Sequence, residues 1–247
     1  MVLQLRDVGK VFARGERLLV ALDRVSLTVG DGDCVAVYGT SRSGKSTLLR
    51  LSSGAHAPTS GSVLYDGQDL NQMAERQRAR LLRSEVSWVP ASPDFQPGLS
   101  VLEQVALSGY LRSRDYARAK QGARDALQRA GIEHCAEAQP GELSDGELRL
   151  TAIAQAIVKR PRLLLADEPA ANLDPTERDR VLELLRECAA EHASAVLFTA
   201  THADETLRST WLARLDSGRL TLPSALPPRG EVVELAPRRA VNDRSRA

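Results

Sequence analysis

One eight-residue run limits what this chain can fold into. Residues 39–46 read Gly39-Thr40-Ser41-Arg42-Ser43-Gly44-Lys45-Ser46, the complete phosphate-binding pattern GxxxxGK[ST]. Before it lies Cys34-Val35-Ala36-Val37-Tyr38, a short apolar run rich in β-branched residues. After it, Thr47-Leu48-Leu49-Arg50-Leu51 reads as a helix. The pattern needs that strand–loop–helix setting. Backbone N–H groups of a wrapped loop must converge on phosphate oxygens, and a helix N-terminus adds partial positive charge. Lys45 is placed to reach the β- and γ-phosphates, and the Ser46 hydroxyl to ligate Mg²⁺. Nucleotide binding is therefore expected, with residues 39–47 as the phosphate cradle.

The remaining chain alternates strands and helices. Residues 1–35 read as three strands, Val2–Val8, Leu18–Leu22 and Val25–Val29, closed by Gly30-Asp31-Gly32-Asp33. A strand is expected at 61–67 and another at Val86–Val89, stopped by Pro90 and Pro93. Residues 71–84 and 100–130 carry helical spacing, with Gly131 as a stop, and a helix is expected from Ser144 to about Lys159. Arg162–Ala166 and Ala195–Thr199 read as buried strands around a helix over 175–192. Continuous apolar strands alternating with helices imply a parallel sheet covered on both faces. From about Pro223 the chain turns to Pro, Arg and small polar residues, so 221–247 is expected to be a disordered tail.

Composition narrows the setting. The 247 residues carry 33 Lys+Arg against 32 Asp+Glu, a net charge of +1. No global field points to a nucleic-acid partner. Cys34, Cys135 and Cys188 are widely spaced and lack a CxxC pair. That spacing is read as neither a disulfide framework nor a metal site, but as reduced thiols of a cytosolic protein. No apolar run approaches the roughly 18 residues of a membrane span. Met1 to Asp7 alternates like a strand rather than a signal segment. A membrane role must then come through a partner.

A second element points to the same chemistry. Leu163-Leu164-Leu165-Ala166-Asp167-Glu168 is an apolar strand ending in two carboxylates. At the carboxyl end of a strand beside a phosphate loop, Asp167 suits Mg²⁺, directly or through water. Glu168 suits a base for the attacking water.

Over about residues 1–220 the chain resembles the ATP-binding subunit of ABC transporters. Five elements in order carry the resemblance: the loop at 39–47; Leu143-Ser144-Asp145-Gly146-Glu147, similar to the LSGGQ/LSGGE signature; Asp167-Glu168; Ala171-Asn172-Leu173-Asp174, like the D-loop; and Thr201-His202, like the switch histidine. The stretch 166–174 and Ser100-Val101-Leu102-Glu103-Gln104-Val105 look most like the lipoprotein-release and macrolide-export branch. The resemblance implies an α/β fold of the RecA-like P-loop NTPase type. Its parallel-sheet core would carry an N-terminal antiparallel β subdomain and an inserted helical subdomain at about 92–158. It also implies a head-to-tail dimer, homo- or heterodimeric, holding two ATP with Mg²⁺ on the cytoplasmic face of a membrane permease. Lys45, Ser46 and Asp167 of one chain would meet residues 143–147 of the other. Phe12 sits where the family places an adenine-stacking aromatic, although a core role is equally natural for a phenylalanine. Glu168 would act on the water and His202 on the γ-phosphate.

Departures cluster at the same positions. Arg42 stands where the family has Gly, in a loop whose wrapped backbone favours residues without a Cβ. Ala91 stands where the Q-loop glutamine is expected, with Gln96 five residues late. Asp145 replaces the first signature Gly, placing a carboxylate beside the partner's γ-phosphate unless it turns away or is paired. Leu148, Leu150 and Gln155 replace the usual Gln, Arg and Arg. Two readings follow: an ATPase powering a membrane permease or mechanotransmitter, favoured by the retained Glu168 and His202, or a degenerate nucleotide-binding module with little turnover, favoured by Arg42, Ala91 and Asp145.

Overall fold

The first two strands are longer than their sequence signals. In the computed structural model, which describes residues 1–15 and 17–221, β1 (Leu3–Arg14) and β2 (Arg17–Val29) form one long antiparallel hairpin. The three short strands expected there are thus two. Pairing shifts register between Leu5 and Val8, Val8 and Lys10, and Lys10 and Val11. Asp7 and Arg24 take positive φ at these irregularities. Each bulge breaks the alternation of inward apolar residues, so a continuous strand reads as fragments. β4 (Ser60–Tyr65) pairs with β1, and the two-residue β5 (Gln68–Asp69) closes a four-stranded antiparallel sheet ordered β2-β1-β4-β5.

The second sheet has six strands in the order β10-β9-β3-β8-β7-β6. They are β3 (Cys34–Tyr38), β6 (Val86–Val89), β7 (Leu163–Ala166), β8 (Ala195–Ala200), β9 (Trp211–Asp216) and β10 (Arg219–Thr221). All neighbours pair in parallel except β9 with β10. Both faces are buried, as an all-apolar strand pattern requires. On one face Ala36, Leu164, Ala166, Val196 and Phe198 pack under four helices. These are α3 (Val101–Ser113), α4 (Tyr116–Ala130), α5 (Asp145–Ile157) and α6 (Pro175–His192). On the other face Val35, Val37, Leu163, Leu165 and Leu197 pack with α1 (Lys45–Ser52) and the hairpin sheet. α2 (Glu75–Glu85) buries none of its residues, in keeping with its arginine-rich sequence.

The run at 100–130 is two helices. Arg114 takes φ 58 after α3, and Asp115 then caps α4 by accepting from the Arg118 N–H at 3.1 Å. Gly131 ends α4 at φ 76, as its position predicts. β9 and β10 lie in a stretch for which the sequence supplied no expectation. Of the tail expected at 221–247, Thr221 closes β10, and 222–247 lie outside the described residues.

Candidate nucleotide site

Three neighbouring parallel strands end side by side at one edge of the large sheet, the edge at which α/β folds hold ligands. β3 runs into the 39–47 loop, β8 into Thr201-His202, and β7 into Asp167-Glu168. The middle strand ties the other two together. Buried Thr199 donates its hydroxyl to Asp167 Oδ1 at 2.8 Å and accepts from the Glu168 N–H at 3.0 Å. The Thr201 hydroxyl donates to Glu168 Oε1 at 3.1 Å. Glu168 takes φ 46, a left-handed conformation that a non-glycine residue holds at a cost. The result is a carboxylate aimed back at the loop.

Lys45 meets it there. Its side chain is only 5% exposed, and Nζ lies 3.1 Å from Glu168 Oε1. The same ammonium donates to the Gly39 carbonyl at 2.5 Å and the Thr40 carbonyl at 3.1 Å. An ammonium this buried requires such acceptors, because leaving it unpaired costs several kcal/mol (roughly, on transfer grounds). A phosphate supplies acceptors of the same kind.

The loop is built for close approach. A Cβ on Gly39 would strike the Leu215 carbonyl, and one on Gly44 the Ala21 carbonyl. Gly44 also sits at φ 109 as the residue before α1. Arg42 adopts φ 66, so the departure expected to strain the loop does occupy the left-handed region, with its side chain exposed. Ser43 is 3% exposed, and its hydroxyl has no partner among the described residues. A buried orphan hydroxyl, a charged lysine and glycines that no Cβ can replace fit a phosphate group. Ser46, exposed at the start of α1, and Asp167, 7% exposed, are oxygen donors of the type a hard Mg²⁺ takes.

A cavity of about 560 Å³ opens over this loop. Ser41, Arg42, Lys45, Thr47 and Glu168 line one part of it, and Phe12, Leu19 and Val20 from the hairpin line another. Phe12 is half-buried and belongs to neither core cluster of the described residues. Its ring packs edge-on to His56 at 6.2 Å, with Lys10 Nζ 5.2 Å from its centre. The cavity thus has a polar end at the loop and an aromatic end at the hairpin.

A family model described as ABC transporter matches residues 22–171. The chain belongs to the ABC transporter family. It is similar to the lipoprotein-releasing system ATP-binding protein LolD of Shewanella frigidimarina, at 35% identity over 93% of this chain and 96% of that one. LolD of Shewanella denitrificans is 33% identical over 89% of this chain and 94% of its own length. Among solved structures, the ATP-binding cassette MJ0796, a post-hydrolysis dimer bound to ADP and Pi, superposes with a TM-score of 0.81 at 27% identity, covering 89% of this chain and 98% of that one. This ABC protein is an ATP-binding subunit, and its enzyme class is ATPase.

The signature-like segment of this ABC subunit stands elsewhere. Ser144 caps α5, accepting from the Glu147 N–H at 3.2 Å while Glu147 Oε2 accepts from the Ser144 N–H at 2.8 Å. Leu143 packs against the helical core, and a Cβ on buried Gly146 would have to displace the Glu177 side chain. None of residues 143–147 lines the cavity that holds Lys45 and Glu168. Asp174 caps α6, accepting from the Thr176 and Glu177 N–H groups at 2.8 and 2.9 Å. His202 is exposed, and buried Glu205 holds its backbone by accepting from the Thr201 and His202 N–H groups.

Two departures acquire a setting from Arg149 on α5, a residue that no motif marks. Its guanidinium donates to the Ala91 carbonyl and, at 3.4 Å, to the Pro90 carbonyl, so this arginine pins the segment where the glutamine is missing. Burial pushes the Arg149 pKa down, while the charges of Asp145 and Glu168 push it up. Asp145 is exposed and four residues before Arg149 on α5, the spacing that brings opposite charges onto one helix face. Gln96 points outward, and buried Gln104 holds its backbone, donating to its carbonyl at 2.6 Å.

Proposed function

We propose that this chain hydrolyses Mg²⁺–ATP in a head-to-tail dimer to power a membrane permease of the lipoprotein-release type. The observation that carries the reading is the division of the site. Lys45, Glu168 and Phe12 share a cavity with the phosphate loop, whereas the Ser144 turn lies outside it. A second copy supplies that turn, and the dimeric cassette of similar fold supports the arrangement. In the reading, residues 39–47 and Lys45 hold the phosphates, Ser46 and Asp167 hold Mg²⁺, and Phe12 stacks on the adenine. Glu168 takes the proton of the attacking water, His202 reaches the γ-phosphate, Asp174 serves the subunit contact, and 143–147 close on the partner's ATP. Mg²⁺ held by Ser46 and Asp167 would supply positive charge against the phosphates. None of the described helices is long and apolar enough to cross a membrane. The subunit then works at the cytoplasmic face through a permease, and the names of its relatives point to lipoprotein release.

A complementation experiment tests the two-chain site. Ser144→Arg and Lys45→Ala are each expected to abolish ATPase activity alone. Mixed, they form a dimer with one intact site and recover a fraction of wild-type activity. Activity that persists in Ser144→Arg alone contradicts the shared site.

A further inference from the structure

Away from the nucleotide cavity, three different metal-ligating groups converge. His134 and Cys135 lie in a short 3-10 turn, Glu133–Cys135, and Glu147 lies on the first turn of α5. Glu147 Oε1 is 3.2 Å from His134 Nε2 and 3.1 Å from Cys135 Sγ. All three donor atoms lie within 4.8 Å of one another. Tetrahedral Zn²⁺ binds thiolate at about 2.3 Å and imidazole or carboxylate at about 2.0–2.2 Å, which sets neighbouring donors roughly 3.3–3.6 Å apart. These two spacings lie close to the edges of such a tetrahedron. The carboxylate is also already oriented. Its other oxygen, Oε2, is held by the Ser144 N–H at 2.8 Å, which leaves Oε1 turned to the imidazole and the thiol.

We infer that His134 Nε2, Cys135 Sγ and Glu147 Oε1 form a site for a thiophilic divalent cation of the Zn²⁺ class, with water completing the shell on the exposed His134 side. A mixed sulfur, nitrogen and oxygen set suits Zn²⁺ and disfavours Mg²⁺. The ion takes the place of the thiol proton that now bridges Sγ and Oε1, and that proton passes to solvent. Cysteine spacing alone hides the set, because its third ligand is a carboxylate twelve residues on. All three cysteines are buried, and among the described residues Cys135, 6% exposed at the rim of the helical core, is the one grouped with an imidazole and a carboxylate. Occupancy ties the 133–135 turn to the helix start that carries Ser144. Binding itself needs neither nucleotide nor a second chain, so it stands apart from the dimer reading.

Co²⁺ serves as the spectroscopic probe on the reduced, untagged full-length chain without nucleotide. The wild type is expected to bind Co²⁺ stoichiometrically with a thiolate-to-cobalt charge-transfer band, and Zn²⁺ is expected to bleach it. Cys135→Ser should remove the band. His134→Ala keeps the thiol and should weaken binding at least about tenfold, since even outer partners of metal ligands are worth that much. Absence of the band in the wild type, an unchanged band in Cys135→Ser, or unchanged affinity in His134→Ala each overturns the inference.

Discussion

Lys45 and Glu168 face each other across 3.1 Å, one from the phosphate loop and one from the end of β7. In this arrangement each satisfies the other's charge. On the proposed reading, entry of a triphosphate would offer Lys45 stronger, multiply charged acceptors and would release Glu168 toward the attacking water. The pair would then couple occupancy of the cradle to availability of the proposed base. That coupling grows from a strand end strained to φ 46 and a lysine anchored on Gly39 and Thr40.

Removing the lysine tests the cradle. Lys45→Ala should abolish or severely weaken ATP binding. A ligand at a hundredfold excess over its Kd stabilises a fold by about 2.7 kcal/mol. For a chain of this size that is a rise in melting temperature of roughly 5–10 °C. Differential scanning fluorimetry should show the rise in the wild type and none in the variant. Equal shifts in the two would remove the phosphate assignment.

Thr199 is predicted to matter more than its position inside β8 suggests. Thr199→Val keeps the shape but leaves Asp167 Oδ1 and the Glu168 N–H without their hydroxyl partner. Unsatisfied buried groups cost about 1–3 kcal/mol, a drop in melting temperature of roughly 2–12 °C. Turnover should fall along with it, because the carboxylate pair loses its alignment. A variant with wild-type stability and kcat would show that the hydroxyl bridge is dispensable.

The departures are open to restoration. On the proposed reading, Ala91→Gln would return a side chain for Mg²⁺ and water, and Asp145→Gly would remove a carboxylate from the segment that closes on the partner's phosphate. If these positions slow hydrolysis, the double variant should raise kcat by about tenfold to a hundredfold, which corresponds to 1–3 kcal/mol of barrier. An unchanged kcat would show that neither departure limits turnover and would remove the degenerate-module reading.

Much of this site was legible before any coordinates. The 39–46 pattern, the carboxylates after β7 and the helix begun by Ser144 each follow from local chemistry, because loop, strand end and cap are short-range structures. What the sequence does not reveal depends on long-range placement. Thr199 is unremarkable in a buried strand until β8 falls between β3 and β7. Arg149 reads as one more helical arginine until α5 lays it against Ala91. The hairpin reads as fragments because its bulges interrupt the alternation that marks a strand. Nothing in the spacing of Cys135 and Glu147 announces that a 3-10 turn brings them within 3.1 Å.

The most direct test of the central claim is gel filtration of Glu168→Gln with Mg²⁺–ATP, with hydrolysis assayed on the same fractions. The substitution keeps the shape of the side chain and removes its basicity, so loss of about 10²–10⁴ in rate is expected. ATP should then hold two chains together, and the variant should elute as a dimer with ATP retained while the nucleotide-free protein elutes as a monomer. A variant that stays monomeric with ATP and hydrolyses it at the wild-type rate would contradict both the role of Glu168 and the two-chain site.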